Sequence, residues 1–219
     1  MAATAALRPL AEPAHDCTLC PRLAAFRDQS RAAEPSWHNG PVASFGATSA
    51  RLLIVGLAPG LRGANRTGRP FTGDYAGELL YGTLLNFGLA TGAYAARADD
   101  GLTLVDTMIS NAVRCVPPEN KPTPAEVNTC RAFLANRICA QTSVRAIVAL
   151  GRIAHDSTVV ALGHKRSAYP FNHGARHEIR PGLVLFDSYH CSRYNTSTRV
   201  LTPEMFSEVF ASVKAYLSA

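Results

Sequence analysis

Cys17 and Cys20, two residues apart, and a wider pair, Cys115 and Cys130, speak most directly of chemistry in this chain. A C-x-x-C step lets two sulfurs reach one metal centre, and a distant second pair would tie the N-terminal segment onto the body of the protein. Spacing alone leaves zinc and an iron–sulfur cluster equally open, because neither the double C-x2-C zinc pattern nor the compact ferredoxin run is present. It also leaves open that Cys130, on a helical stretch, is a small buried hydrophobe. Cys139 lies on the same stretch and is expected in the core.

A second centre of interest is the long glycine-rich, basic loop that begins Gly56-Leu-Ala-Pro-Gly60 and runs through Arg62, Asn65, Arg66, Arg69, Phe71 and Gly73 to Asp74. Glycines let backbone amides approach a ligand, arginines meet phosphates, and a single aromatic offers a stacking surface for a base. No Gly-Lys-Thr/Ser closes the loop as in a Walker motif, and the G-x-G-x-x-G dinucleotide spacing is missing. Asp74 is the only acid between Arg51 and Gly77, so the neighbouring cations are expected to keep it ionised. An ordinary irregular connection and a structural acid–arginine pair are the plain alternatives.

Two further loops carry polar groups. Asn111 sits in Ser110-Asn-Ala-Val-Arg-Cys115, where an amide can read a base edge, or simply form a turn. Near the C-terminus, Ser188-Tyr-His190-Cys-Ser-Arg193-Tyr-Asn195 continues to Arg199. His190 can donate a hydrogen bond to an anionic leaving group, and Arg193 and Arg199 can hold a nucleic-acid backbone. The other histidines receive the ordinary structural reading.

The elements that must position these groups are legible as apolar runs. Arg51–Gly56, Arg145–Gly151 and Leu183–Asp187 read as buried parallel strands, with a fourth between Leu102 and Val113. Helical stretches are expected over Glu78–Gly88, Pro124–Ala140 behind the cap Thr123, Arg152–Leu162, and Pro203–Leu217 behind Thr202. This alternation predicts an α/β fold, a three-layer αβα sandwich around a mainly parallel four-stranded sheet, with ligands bound beyond the carboxyl ends of the strands. With 219 residues, 47% of them hydrophobic, the chain reads as a single domain spanning 1–219, in which 1–45 is an N-terminal segment bearing Cys17 and Cys20. The excess of 22 basic over 16 acidic residues points to a polyanionic partner. No apolar run reaches the ~18 residues of a membrane span, and Met1–Asp16 shows no secretory pattern, so a cytoplasmic protein with reduced or metal-bound thiols is expected.

Taken in order, Gly56-Leu-Ala-Pro-Gly60 with Asn65-Arg-Thr-Gly-Arg-Pro-Phe-Thr-Gly-Asp74, then Asn111 with Val113-Arg-Cys115, then Pro117-Pro-Glu-Asn-Lys-Pro122, and last His190 with Asn195, closely resemble the iron–sulfur uracil-DNA glycosylases, in particular the type b branch or family 5. The likeness covers nearly the whole chain. It implies a monofunctional hydrolase of base excision repair, of bacterial or archaeal nucleoid type, acting as a monomer on DNA containing uracil or other deaminated bases. It implies a 4Fe–4S cluster on Cys17, Cys20, Cys115 and Cys130. Relatives with a G-E-A-P-G motif carry an acid where Leu57 stands, so the water-positioning carboxylate implied here is Asp74. The family's His-Pro-Ser reads His190-Cys191-Ser192, which removes a proline that would have stiffened the loop and leaves Cys191 as a stray thiol near the site.

The implied mechanism extrudes the nucleotide from the duplex. Phe71 stacks on uracil, Asn111 bonds its Watson–Crick edge, and backbone amides at Gly56 and Ala58 add contacts. His190 stabilises charge on the departing base, and Asp74 positions water beside a sugar cation. Arg66, Arg69, Arg193, Asn195 and Arg199 are expected on the DNA. Two other classes fit part of the sequence: an iron–sulfur electron carrier on a flavodoxin-like sheet, which leaves the Asn65–Asp74 loop unexplained, and a zinc-stapled nucleic-acid-binding protein without activity. Absorbance near ~400 nm separates iron from zinc, and uracil release separates enzyme from carrier.

Overall fold

Four apolar runs form the centre of one sheet in the computed structural model, which describes residues 12–219. Most of the opening stretch in which no secretory pattern is read therefore lies outside the described residues. In chain order the elements are α1 (Pro21–Ala33), β1 (Phe45–Gly46), β2 (Leu52–Gly56), α2 (Ala64–Thr67), α3 (Tyr75–Asn86), β3 (Ala90–Thr91), β4 (Thr103–Leu104), β5 (Thr107–Asn111), α4 (Pro124–Ala140), β6 (Ala146–Leu150), α5 (Arg152–Ala161), β7 (Arg176–Arg180), β8 (Leu183–Ser188), α6 (Arg193–Ser197) and α7 (Pro203–Ser218). The sheet has six strands in the order β1-β5-β2-β6-β8-β7, and β3 pairs with β4 apart from it. The neighbours β5, β2, β6 and β8 are parallel, while β1 and β7 add antiparallel edges. The expected four-stranded sheet is thus corrected to six. Its edges are a two-residue strand and the charged run Arg176–Arg180, neither of which carries the continuous apolar signature of a central strand.

Alternation along each central strand builds a core on both faces. Leu52 and Ile54 of β2 pack with Leu80 and Leu84 of α3 and with Phe206 and Phe210 of α7. Leu53 and Val55 pack with Leu134 and Ile138 of α4 and Ala154 and Val159 of α5. Capping residues set where the helices begin: Thr123 and Glu126 form a reciprocal capping box on α4, and Thr202 accepts from the Met205 amide at α7. Such caps contribute ~1 kcal/mol each. α3 begins at Tyr75 instead of the expected Glu78, because Asp74 caps it by accepting from the Gly77 amide at 3.0 Å.

The N-terminal segment is fastened by ions. Glu12 pairs with Arg114 at 2.8 Å and Arg137 at 2.6 Å, and Arg22 of α1 grips Glu126 through two bonds of 2.7 and 2.8 Å. Among the described residues, no helix is long and apolar enough to cross a membrane.

Candidate active site

All the loops that follow β2, β5, β6 and β8 open at the carboxyl edge of the parallel strands, and a cavity of about 630 Å³ lies there. Leu57, Ala58 and Gly60 from the loop after β2, Asp74 and Tyr75 at the start of α3, Asn120, and His190, Ser192 and Arg193 after β8 line it. Asp74, Ala58, His190 and Arg193 are therefore brought together from separate parts of the chain. Asn111, Phe71 and Gly56 do not line this cavity; they form a packed group beside it. Gly56 pairs with Asn111 across β2 and β5, and a Cβ on Gly56 would collide with both Asn111 Oδ1 and the Phe71 ring. The Phe71 ring in turn faces His190, with centroids 6.2 Å apart and planes within 26°. The Asn111 side-chain amide is 2% exposed, and its Oδ1 has no hydrogen-bond partner. A buried amide oxygen without a partner costs roughly 1–3 kcal/mol, the kind of cost that a ligand's donor relieves.

Asp74 occupies a place made by glycines. Cβ atoms at Gly60 or Gly63 would stand 3.2 Å from its Oδ2. Crowding by protein raises its pKa, while the Gly77 and Ala76 amides at the start of α3 act in the opposite sense. Among the described residues no arginine pairs with it, so the sequence expectation is corrected: backbone amides, not neighbouring cations, favour its charged form. His190 is partly buried at the cavity wall, and burial lowers its pKa to about 4, which leaves a neutral imidazole at neutral pH. A neutral ring can donate one hydrogen bond to developing negative charge.

The remaining predicted residues divide clearly. Arg66, Arg193 and Arg199 are exposed and form no ion pair among the described residues, and the Arg193 guanidinium lies 5.7 Å from the centre of the Tyr75 ring. Arg69 is corrected from a DNA contact to a structural cation. It is 4% exposed, and it grips Asp100 with two bonds of 2.7 Å amid Phe45, Tyr81 and Tyr94. Asn195 is part-buried and donates through Nδ2 to the His190 carbonyl at 2.8 Å, within a turn that forms α6. Cys191, expected as a stray thiol near the site, is fully buried against the Ala76 carbonyl, and burial pushes its thiol far up. Asn120 is read in the sequence only as part of the Pro117–Pro122 motif, without a role of its own. Its signal lies in the backbone: Glu119 and Asn120 have φ of 55° and 57°, consecutive left-handed residues between prolines. Strain of that kind costs ~1–3 kcal/mol and concentrates at working sites.

Cys17, Cys20, Cys115 and Cys130 line one small apolar pocket with Leu23, Val113 and Phe133. Burial first, and then the neighbouring sulfurs, push the Cys20 and Cys115 thiols up to about 11 and about 12, and Cys130 is raised by burial as well. Such a set of thiols is unfavourable as anions without a cation among them. The Arg114 amide donates to Cys130 Sγ at 3.3 Å. Among the described residues no three of these sulfurs come within 4.8 Å of one another. The sulfur–sulfur edge of a zinc tetrahedron with ~2.3 Å bonds is about 3.8 Å. Cys139, expected in the core, is exposed; nine residues of helix turn it to the face opposite Cys130.

Residues 43–214 match the uracil DNA glycosylase superfamily. The chain is 46% identical over 204 residues to a type-5 uracil-DNA glycosylase of Thermus thermophilus, covering 90% of this chain and 92% of that one. It is 37% identical to a type-5 uracil-DNA glycosylase of Pyrobaculum aerophilum over 91% and 88% of the two chains. A type-4 uracil-DNA glycosylase of Archaeoglobus fulgidus is 37% identical over 52% of this chain and 49% of its own.

Proposed function

The chain belongs to the uracil-DNA glycosylase superfamily, and from that premise we propose that it is a type-5 enzyme that hydrolyses the N-glycosidic bond of uracil in DNA and so begins base excision repair. The observation that carries the site assignment is the meeting of Asp74 and His190 in one cavity, with the Phe71 ring facing His190 and, among the described residues, an unpaired Asn111 oxygen beside that ring. The chain is read as one three-layer αβα domain acting as a monomer.

Extruding the nucleotide costs a few kcal/mol, least at a mismatch. Exposed Arg66, Arg193 and Arg199 offset this by holding flanking phosphates. The Phe71 ring stacks on the base, and the Asn111 amide bonds its edge, aided by backbone amides near Gly56 and Ala58. As the bond to the sugar lengthens, the electron pair leaves with uracil, and the neutral His190 donates to the oxygen that gains charge. In an enclosed site one such donor lowers the barrier by ~3 kcal/mol. Asp74, ionised, faces the sugar cation and orients the water that adds to it, which leaves an abasic site and free base. Leu57 and Ala58 leave that wall without charged groups, so other deaminated bases are included in the proposal.

Cys17, Cys20, Cys115 and Cys130 would hold a 4Fe–4S cluster. That no three of their sulfurs lie within 4.8 Å of one another among the described residues supports it over a single zinc ion. Bound there, the cluster supplies cross-linking and no chemistry of the reaction. The deciding experiment incubates oligonucleotides, each with one deaminated base, with purified protein, then treats them with alkali. Cleavage at uracil supports the reading; intact strands in every case would overturn it.

A further inference from the structure

The turn that carries Phe71 is held by a segment between β3 and β4 that contributes no residue to the cavity lining. Phe71 has φ of 56°, a left-handed backbone that a bulky residue seldom adopts. The carbonyls on either side of its Cα are each fixed by a tyrosine hydroxyl: Tyr81 donates to Pro70 O at 2.7 Å and Tyr94 to Phe71 O at 3.2 Å. Gly77 backs the same carbonyl so closely that a Cβ there would overlap it. The two tyrosine rings stack at 4.7 Å between centroids, and the Arg69 guanidinium lies 5.2 Å and 5.9 Å from them. Asp100 completes the brace, for it pairs with Arg69 and accepts the Ala95 amide at 2.9 Å and the Leu102 amide at 3.1 Å, which fixes the chain directly after Tyr94 and again before β4.

We propose that Tyr94 is a positioning residue for base excision, whose hydroxyl holds the Phe71 carbonyl and thereby keeps the Phe71 ring aimed at the site beside His190. It rests on the uracil-excision reading. A Phe71 free to relax toward ordinary φ would carry its ring away from Gly56 and His190, since the ring moves with the Cα it hangs from. Tyr94 touches no reacting atom; its hydroxyl also meets the Gly73 amide, and the double substitution isolates the part that runs through Phe71.

Tyr94→Phe tests this, because it keeps the ring stack and removes one hydroxyl. Excision from uracil-containing duplex is followed with enzyme in excess, in the wild-type and the Phe71→Ala backgrounds. The single-turnover rate is expected to fall about fivefold, the value of one neutral hydrogen bond, with affinity for the duplex unchanged. In the Phe71→Ala background the same substitution is expected to have no further effect, which a general loss of stability would not produce. A wild-type rate for Tyr94→Phe, or an equal fall in both backgrounds, would overturn the proposal and leave the uracil reading standing. A wild-type protein that releases no uracil would remove that reading and this inference together.

Discussion

Phe71 and His190 face one another with ring planes within 26°, and among the described residues no hydrogen bond engages the His190 imidazole. The histidine is therefore fixed by packing alone, and burial is the whole cause of its lowered pKa. In the unfolded chain its pKa returns to ~6.5. Between that value and about 4 the unfolded state binds a proton that the folded state refuses, so His190 makes stability fall as pH falls through this window. The ceiling on that loss is about 3 kcal/mol. Urea unfolding from pH 7 to 4 should show a shallower decline in His190→Gln than in wild type. Parallel declines would remove this account of the histidine.

Asp74 has two duties that substitution can part. Asn keeps the helix cap but not the charge, whereas Ala loses both. Single-turnover excision should fall ~100-fold or more in both variants, while only Asp74→Ala loses a further ~1 kcal/mol of stability. Because crowding raises the Asp74 pKa, the acid limb of wild-type excision should lie above that of an exposed aspartate. A rate in Asp74→Asn close to wild type would deny the carboxylate its part.

Asn120 permits a cleaner separation. Glycine at a left-handed position relieves strain, so Asn120→Gly should hold or raise the thermal midpoint. If the amide contacts the extruded nucleotide from its place on the cavity wall, the excision rate should still drop about tenfold, the worth of one or two hydrogen bonds. An active, stabilised variant would make Asn120 a mere turn residue.

The basic residues should split by partner. Arg66→Ala should weaken duplex binding, and reduce the slope of log affinity against log salt by ~1, at unchanged stability. Arg69→Ala leaves Asp100 buried without its cation, which costs ~3–5 kcal/mol. Thermal melts and salt titrations of the two variants distinguish these outcomes directly.

Cys17→Ser, Cys20→Ser, Cys115→Ser and Cys130→Ser should each diminish absorbance near ~400 nm and lower the thermal midpoint. Cys139→Ser and Cys191→Ser should leave the colour intact. Colour that persists through all four of the first group would place the iron elsewhere.

The central strands were legible because strands buried on both faces must be apolar throughout, as Leu52–Gly56 and Ala146–Leu150 are. The edges were not, since Arg176–Arg180 buries only Ile179. The helix caps Thr123 and Thr202 could be read because capping is local; Asp74 could have been read in the same way, but as a lone acid among arginines it drew a purely chemical interpretation. Arg69 shows the limit most plainly. Its neighbours in sequence are basic-loop residues, while its true partner, Asp100, stands 31 positions away, a distance no pattern spans.

Arg51, at the amino end of the parallel strands, donates to the Leu217 carbonyl at 3.1 Å. The last turn of α7 is thereby held at the pole opposite the cavity. A dye, an affinity handle or a tether to a solid support joined after Ala219 would stand clear of a long polymer lying across the other end, so immobilised single-particle measurements can be made without obstructing it.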